Sequence, residues 1–210
     1  MTDAVLYDYW RSSASYRVRI ALNLACIEYD VVVVDLLNHE HKGVEYLERN
    51  PQGLVPSLFI DGKLFTQSLA IIEYLNTTRS LGLLPASPID QAHVRALAYA
   101  VAMDIHPLCN MSVAGHVMAL TGEGEAVRQA WMQRFIGSGL QGIEHMLQHR
   151  KGVLCFGDTP TLADICLLPQ VYNARRWSVP MNDLPRISVI ANALDLIPAF
   201  AAAHPDHHKP

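Results

Sequence analysis

A short run of hydroxyl and cationic side chains near the start of the chain could carry chemistry. Ser12 and Ser13 lie within the stretch from Arg11 to Arg17, between a segment typical of a strand and a segment typical of a helix. Ligands of α/β sheets usually bind at strand ends, and a helix N-terminus offers unpaired N–H groups and about half a unit of positive charge. Such a turn can stabilise a thiolate. The alternative is that a serine here only caps the helix.

Two further positions could present polar groups to a ligand. Val55-Pro56 begins an apolar strand, and a cis bond there would leave the main chain of Val55 free for a peptide-like ligand. Only about 5–6% of X–Pro bonds in folded proteins are cis, so a trans bond at an edge strand is the simpler expectation. Gln67 and Ser68 open the next helix, where a hydroxyl and an N–H suit a carboxylate, with a plain cap as the alternative.

The elements that must position these residues form a small sheet. Residues 4–10 and 29–34 are predicted strands, and the almost continuous apolar run of the second predicts burial on both faces. Apolar residues three and four apart predict a helix from Ser15 to Ala25 between them. Strand, helix and strand in this order predict a right-handed crossover and a parallel pair.

A hairpin and a further helix complete the sheet. Asp61-Gly62 stands between apolar stretches at 55–60 and 63–65, which is a strong hairpin signal. Apolar residues at helical spacing predict a helix over 68–77. The order βαβ and then ββα predicts an α/β, thioredoxin-like domain over residues 1–80.

The remainder of the chain has little strand signal. The stretch 78–90 is rich in glycine, proline and serine and is the predicted linker. An all-α domain is expected over 89–210, with a frayed polar tail from His204. Thr161 to Asp164 resembles a capping box. Helices are predicted over 91–103, 125–149, 161–176 and 192–203.

Composition argues against several classes of function. The chain has 210 residues, is 50% hydrophobic and has a net charge of -4, which does not suit a general nucleic-acid binder. The N-terminus from Met1 to Ala4 lacks the features of a signal peptide, and no apolar run approaches the roughly 20 residues of a membrane helix. The four cysteines form no C-x-x-C pair, which favours reduced thiols and a cytoplasmic protein.

The histidines do not predict a metal site. His145 and His149 are four residues apart on a predicted helix, and three more crowd the tail at His204, His207 and His208. Zinc needs three or four protein ligands; the pattern places no third ligand beside the helical pair, and few carboxylates lie near either group. No metal is expected.

Several stretches of the sequence resemble the zeta class of glutathione transferases. Residues 12–22 read SSASYRVRIAL and are similar to the class signature SSCSxRVRIAL. Other similar stretches are NPQGLVPSLFIDG (50–62), QSLAIIEYL (67–75), LLP (83–85), GDTPTLADICLLPQV (157–171) and NARRW (173–177). The resemblance spans essentially the whole chain. It implies the glutathione-transferase fold, with an α/β thioredoxin-like N-terminal domain and an all-α C-terminal domain.

The resemblance also implies a glutathione site. Ser12 matches the serine that activates the glutathione thiol, and Val55 resembles the residue whose main chain pairs with the cysteinyl part. Gln67 and Ser68 resemble the pair that holds the γ-glutamyl carboxylate. The residues implied to contact the cofactor or ligand are Ser12, Ser13, Ala14, Val55, Gln67, Ser68, His106 and Asn110.

Class members of this kind isomerise small maleyl-keto acids. The implied reaction adds the glutathione thiolate to a cis double bond, rotates the resulting single bond and then eliminates the thiolate. Arg176 matches an arginine expected to bind a substrate carboxylate, and Arg11 is a candidate for stabilising the enolate. Ala14 replaces the signature cysteine, which puts side reactions of that cysteine in doubt but not the isomerisation, because glutathione supplies the sulfur.

Alternatives remain at the level of substrate. Maleylpyruvate and maleylacetoacetate are both candidates, and His106 and Asn110 favour the former. A general transferase that conjugates glutathione to small electrophiles would share Ser12 but would not need Arg176. A non-catalytic module on the same fold would tolerate loss of the hydroxyl at Ser12. The resemblance implies a homodimer, with no nucleic-acid or membrane partner.

Overall fold

The computed structural model describes residues 3–210 and divides the chain into two compact units. The first unit runs up to Gly82 and includes Ile197–Pro210, and the second is Leu83–Leu196. Met1 and Thr2, with which the predicted first domain begins, lie outside the described residues. The division falls inside the predicted linker, but the last fourteen residues group with the first unit, whereas the prediction assigned them to the second.

The strands and helices follow one another in the order that the sequence predicts, with two additional α-helices and with the last predicted helix divided in two. In chain order they are β1 (Val5–Asp8), α1 (Ser13–Leu24), β2 (Asp30–Val33), α2 (Val44–Arg49), β3 (Ser57–Ile60), β4 (Lys63–Thr66), α3 (Ser68–Arg79), α4 (Pro88–Tyr99), α5 (Met111–Thr121), α6 (Gly124–Met146), α7 (Leu162–Arg176), α8 (Pro185–Asp195) and α9 (Pro198–Ala202). The sequence analysis did not predict α2 or α5, and it predicted only the end of α8.

The four strands form one mixed sheet in the order β2-β1-β3-β4. β1 and β2 are parallel, as the predicted crossover requires, and β3 runs antiparallel to both β1 and β4. Ile60 pairs with Lys63, so Asp61 and Gly62 form a two-residue turn, with φ of 54° and 70° respectively. These positive angles match the turn that an Asp-Gly pair favours, and the hairpin prediction is confirmed.

The prediction that the strand at 29–34 is buried on both faces is wrong. All four residues of β2 are exposed, including Val31, Val32 and Val33 at 44%, 42% and 53%. β2 lies at the edge of the sheet and pairs with β1 alone. A continuous apolar run has the same pattern in an edge strand as in a central one, so the sequence pattern could not distinguish the two.

The C-terminal helix also differs from its prediction. The predicted helix over 192–203 is interrupted, because α8 ends at Asp195 and α9 begins at Pro198, a residue that cannot continue a preceding helix. Asn23 of α1 donates to the carbonyl of Ala199 at 3.0 Å, and Phe200 is fully buried. Beyond α9, a 3₁₀ turn with a buried Pro205 replaces the predicted frayed tail.

The second unit is helical, and the start of α7 is fixed by a buried carboxylate. The N–H and the hydroxyl of Thr161 donate to Asp164 at 2.8 and 2.7 Å, and the N–H of Cys155 donates to the same carboxylate at 2.9 Å. The predicted capping box is therefore confirmed. Within residues 3–210, no helix has the length and apolar character needed to cross a membrane.

We expect Gly152→Ala to lower the free energy of unfolding by about 2–5 kcal/mol. Gly152 has φ of +85°, and an added Cβ would clash with the backbone of Gly157 and lie 2.7 Å from a carboxylate oxygen of Asp158. The matched control is Gly142→Ala in α6, where an added Cβ meets nothing within 4 Å and should stabilise by about 0.5–1 kcal/mol. Urea unfolding measures both, and equal stability of the two variants would contradict the prediction.

Candidate functional site

The ends of three strands meet at one edge of the sheet. Tyr7 near the end of β1 pairs with Ser57 at the start of β3, and Ser57 pairs on its other side with Thr66 at the end of β4. Neighbouring strands lie about 4.8 Å apart, so these ends span roughly 10 Å. The segments carrying Ser12, Val55 and Gln67 leave the sheet from this edge. The first unit therefore brings together the three positions that the sequence singled out.

Ser12 caps α1 and keeps its hydroxyl proton available. Its N–H donates to the carbonyl of Tyr9 at 2.8 Å, and its Oγ accepts from the N–H of Ser15 at 3.2 Å. Capping and ligand binding are thus compatible, because the oxygen accepts from the helix while its own O–H can still donate to an anion. Ser13 and Ala14 form the first turn of α1, which reads Ser-Ala-Ser-Tyr and contains no acidic residue.

Val55 precedes β3 and lies outside the paired part of the sheet, since the ladder of β3 begins at Ser57. The Val55–Pro56 bond is cis, against the simpler expectation of a trans bond. Val55 is half-buried and Pro56 is buried.

Gln67 and Ser68 form the entrance to α3. Gln67 has φ of 67° and ψ of 112°, a rare conformation for a residue with a side chain, and such strain is concentrated at ligand sites. Its side-chain amide donates to Gln52 Oε1 at 2.6 Å. Ser68 is 7% exposed, and its Oγ accepts from Nη1 of Arg17 at 3.4 Å. Because the oxygen accepts from Arg17, the Ser68 hydroxyl can donate to an anion at the N-terminus of α3.

Arg11 lies in the turn that precedes Ser12. Its Nη2 donates to the hydroxyl of Tyr9 at 3.2 Å, and its guanidinium stacks on the ring of Trp10 at 4.7 Å. A cation held in this way beside the N-terminus of α1 can stabilise a developing negative charge.

His106 and Asn110 belong to the second unit and follow an irregular helical segment. Residues Ala100–Ile105 form a π-helix, in which the N–H of His106 donates to the carbonyl of Val101 at 2.9 Å. Such segments are frequent at functional sites. The prediction instead continued an ordinary helix to residue 103. The side-chain oxygen of Asn110 caps α5 by accepting from the N–H of Ser112 at 3.0 Å, which leaves its amide group to donate elsewhere.

Arg176 is exposed at the end of α7 and stacks on the ring of Trp177 at 4.9 Å. Arg128 of α6 stacks on the same ring at 5.1 Å. The adjacent Arg175 is directed to Asp195 of α8, with 3.6 Å between the charged groups. The two arginines therefore differ in their partners, although they are adjacent in sequence.

The cysteine nearest His106 in sequence is a poor nucleophile. Burial raises the pKa of the Cys109 thiol to about 11. Burial also raises the pKa of Cys155, next to the carboxylate of Asp164. A thiolate is the reactive form of cysteine, so neither residue supplies one at neutral pH. Sulfur chemistry at this protein therefore needs either an external thiol or one of the remaining cysteines.

Two residues of the site were missed by the sequence analysis. Arg17 was named only as the end of the hydroxyl-rich run, yet the residue is 2% exposed and its guanidinium contacts Ser68. Gln52 was not singled out, yet it orders the side chain of Gln67. A charged residue inside the apolar face of α1 was an available signal for Arg17, because an isolated buried charge is costly.

Comparison with known proteins finds similarity to glutathione transferases along nearly the whole chain. A family model described as the N-terminal domain of glutathione S-transferase matches residues 11–78. A maleylacetoacetate isomerase of Rhizobium meliloti is 61% identical over 210 residues, which cover 99% of each chain.

Solved structures that are more than 30% identical share the fold, and two of them illustrate the match. A maleylpyruvate isomerase described as a bacterial zeta-class glutathione S-transferase, in its holo form, is 40% identical with a TM-score of 0.93 over 96% of each chain. A maleylacetoacetate isomerase of Methylobacterium extorquens AM1, with bound malonate and glutathione, is 36% identical with a TM-score of 0.93 over 98% of each chain.

Proposed function

We propose that this chain, which belongs to the zeta class of glutathione transferases, is a glutathione-dependent cis–trans isomerase of a maleyl-keto acid. Its relatives with this activity in their names are 61% and 40% identical over nearly the full chain. The proposal rests on one observation. The segments that carry Ser12, Val55 and Ser68 all adjoin strand ends on the same side of the sheet. This site combines a hydroxyl donor, free main chain and an anion site.

The residues at this edge fit glutathione. The first turns of α1 and α3 contain no acidic residue, so both helix N-termini are open to negative charge. Gln67 is held in a strained conformation beside Ser68, which is the expected support for a carboxylate. We assign Ser12, Ser13 and Ala14 to the thiol end of the tripeptide, Val55 to its main chain, and Gln67 and Ser68 to its γ-glutamyl end.

Bound glutathione supplies a thiolate that adds reversibly to the cis double bond, so that rotation becomes possible and the thiol is regenerated. Ser12 stabilises the ionised sulfur by donating its hydroxyl proton, and the N-terminus of α1 adds its partial charge. Arg176 binds a substrate carboxylate, preferably by a two-point contact. Arg11 stabilises negative charge that develops on the keto group. His106 and Asn110 donate to the polar end of the same ligand.

We place the enzyme in the cytoplasm, in the breakdown of aromatic compounds, and as a homodimer. All four cysteines are free, which supports a reducing compartment. Apolar residues left exposed on the helices of the second unit, among them Ile89 at 69% and Leu120 at 73%, support association with a second copy.

Parallel assays test this function. The purified protein should isomerise maleylpyruvate or maleylacetoacetate only when glutathione is added, and glutathione should not be consumed. The better of the two substrates identifies the pathway, and His106 and Asn110 favour maleylpyruvate. Conjugation of chloronitrobenzene at a rate above the isomerisation of both keto acids would instead indicate a general transferase. Isomerisation that proceeds without added thiol would also contradict the proposal.

We expect Ser68→Ala to weaken glutathione binding by about 10- to 100-fold, because a hydrogen bond to a charged group contributes about 1.5–3 kcal/mol. The matched control is Thr78→Ala in the same helix, whose exposed hydroxyl donates to the carbonyl of Tyr74 at 2.8 Å. Calorimetry of glutathione binding measures both variants. Equal dissociation constants for Ser68→Ala and the control would remove Ser68 from the anion site.

A further inference from the structure

A buried arginine joins three separate segments of the first unit. The side chain of Arg19, on α1, is fully buried at 0% exposure. Its Nη1 donates to Asp8 Oδ2 at 2.7 Å, its Nη2 to the carbonyl of Trp10 at 3.0 Å and its Nε to the carbonyl of Ala203 at 3.1 Å. One guanidinium thus ties the end of β1, the turn after β1 and the chain beyond α9.

The middle contact acts on the turn that carries the thiol-binding hydroxyl. The N–H of Ser12 donates to the carbonyl of Tyr9 at 2.8 Å, which makes Trp10 and Arg11 the central residues of a four-residue turn. Arg19 holds the carbonyl of Trp10, at the tip of this turn. The position of the Ser12 hydroxyl therefore depends on the guanidinium of Arg19. All three hydrogen bonds of that guanidinium go to protein acceptors, and none of them goes to the ligand.

The geometry suits arginine and no other side chain. The three acceptors are reached by three different nitrogens of one planar group, whereas a lysine has one nitrogen at the end of a flexible chain. Burying an ion pair costs several kcal/mol of desolvation, and well-packed apolar residues of similar volume are often at least as stabilising. Stability alone is therefore a weak reason for a buried charge here, and control of the turn is a stronger one.

We propose that Arg19 is a positioning residue, which sets the Ser12 hydroxyl for thiol ionisation by anchoring the turn from Tyr9 to Ser12 to the end of β1 and to the main chain at Ala203. This inference rests on the proposed glutathione-dependent function. Displacement of a donor by about 1 Å can lower a rate by about a hundredfold, so loss of this anchor should impair ionisation of the glutathione sulfur.

The test variant is Arg19→Lys, which keeps the charge beside Asp8 and loses the three-point contact. We expect the pKa of the thiol of bound glutathione to rise by about one unit, which is about a tenfold lower thiolate fraction. Turnover should fall by a similar factor, with the KM for the keto acid within about twofold of the wild-type value. The thiolate is followed by its ultraviolet absorbance in a pH titration of the protein saturated with glutathione.

Two variants separate positioning from general stability. Asn23→Ala loses another α1 contact with the C-terminal segment, the 3.0 Å bond to Ala199, but does not touch the turn. Arg79→Lys alters an ion pair to Asp61 of the same 2.7 Å length elsewhere in the unit. Both should leave the thiol pKa unchanged. A folded Arg19→Lys protein with wild-type thiol pKa and turnover would overturn the assignment of Arg19 while leaving the proposed function intact.

Hydrogen exchange of the wild-type protein gives a second test, which holds even where Arg19→Lys does not fold. Addition of glutathione should slow amide exchange at residues 10–13 and, through Arg19, at residues 201–204 as well. Slowing confined to 10–13 would overturn the assignment of Arg19. A wild-type protein that binds no glutathione would overturn the proposed function, and the inference with it.

Discussion

Replacing Ser12 with alanine is expected to lower turnover by about 10²–10³-fold while the fold is kept. Removal of one donor that stabilises a reacting anion has an effect of this size in other enzymes. The Ser12 Oγ already accepts from the N–H of Ser15, so its proton is the group left to donate to the glutathione sulfur. Steady-state kinetics with saturating glutathione and a maleyl-keto acid measure the effect.

The matched control for this variant is Ser87→Ala. Ser87 caps α4 by accepting from the N–H of Asp90 at 3.5 Å, so its loss removes a helix cap but no ligand contact. Each variant should lower the free energy of unfolding by about 1 kcal/mol, and only Ser12→Ala should lose turnover. Wild-type turnover in Ser12→Ala, or an equal loss in both variants, would exclude the proposed role of Ser12.

The second large effect is expected for Arg176→Ala, which should raise the KM for the keto acid by about 10- to 100-fold. The guanidinium lies at the exposed end of α7, stacked on Trp177, and can form a two-point contact with a carboxylate. Glutathione affinity should stay within about twofold of the wild-type value, because the proposed contact is with the substrate. The kinetics are measured at fixed, saturating glutathione.

The adjacent Arg175→Ala variant is the control for charge. It removes the same positive charge from the same helix turn, but Arg175 is directed towards Asp195 at 3.6 Å. Its KM should change by less than about threefold, since surface ion pairs contribute about 0–1 kcal/mol. An unchanged KM in Arg176→Ala would mean that Arg175 or Arg11 binds the substrate carboxylate instead. A raised KM in Arg175→Ala would then identify Arg175, and an unchanged KM would identify Arg11.

Local signals predicted the parts of the fold whose causes are local. Asp61-Gly62 specified its hairpin because few residue pairs accept two positive φ angles. Thr161 and Asp164 specified the start of α7 because a side chain three positions along can reach the cap. The resemblance to the zeta class is also confirmed. Its motifs occur in both units, and a relative is similar over 99% of the chain.

Long-range packing accounts for what the sequence analysis missed. β2 is exposed and has no further strand beyond it in the sheet, a position that its own residues do not encode. The chain beyond Pro198 packs on α1 through Asn23 and Arg19, residues about 180 positions away in the sequence. α1 is buried on nearly all sides, and Arg17 and Arg19 point in different directions from it. Only their partners, Ser68 and Asp8 among them, explain why charges are placed there.

The most direct measurement is the ionisation of bound glutathione. Wild-type protein saturated with glutathione is titrated with base while the ultraviolet absorbance of the thiolate is recorded, and the Ser12→Ala protein is titrated in the same way. We predict that the wild-type protein lowers the pKa of the sulfur by at least about one unit from that of free glutathione, and that Ser12→Ala removes most of this shift, leaving only the part due to the N-terminus of α1. The same pKa for free and bound glutathione, or an identical shift in both proteins, would contradict a sulfur activated by Ser12.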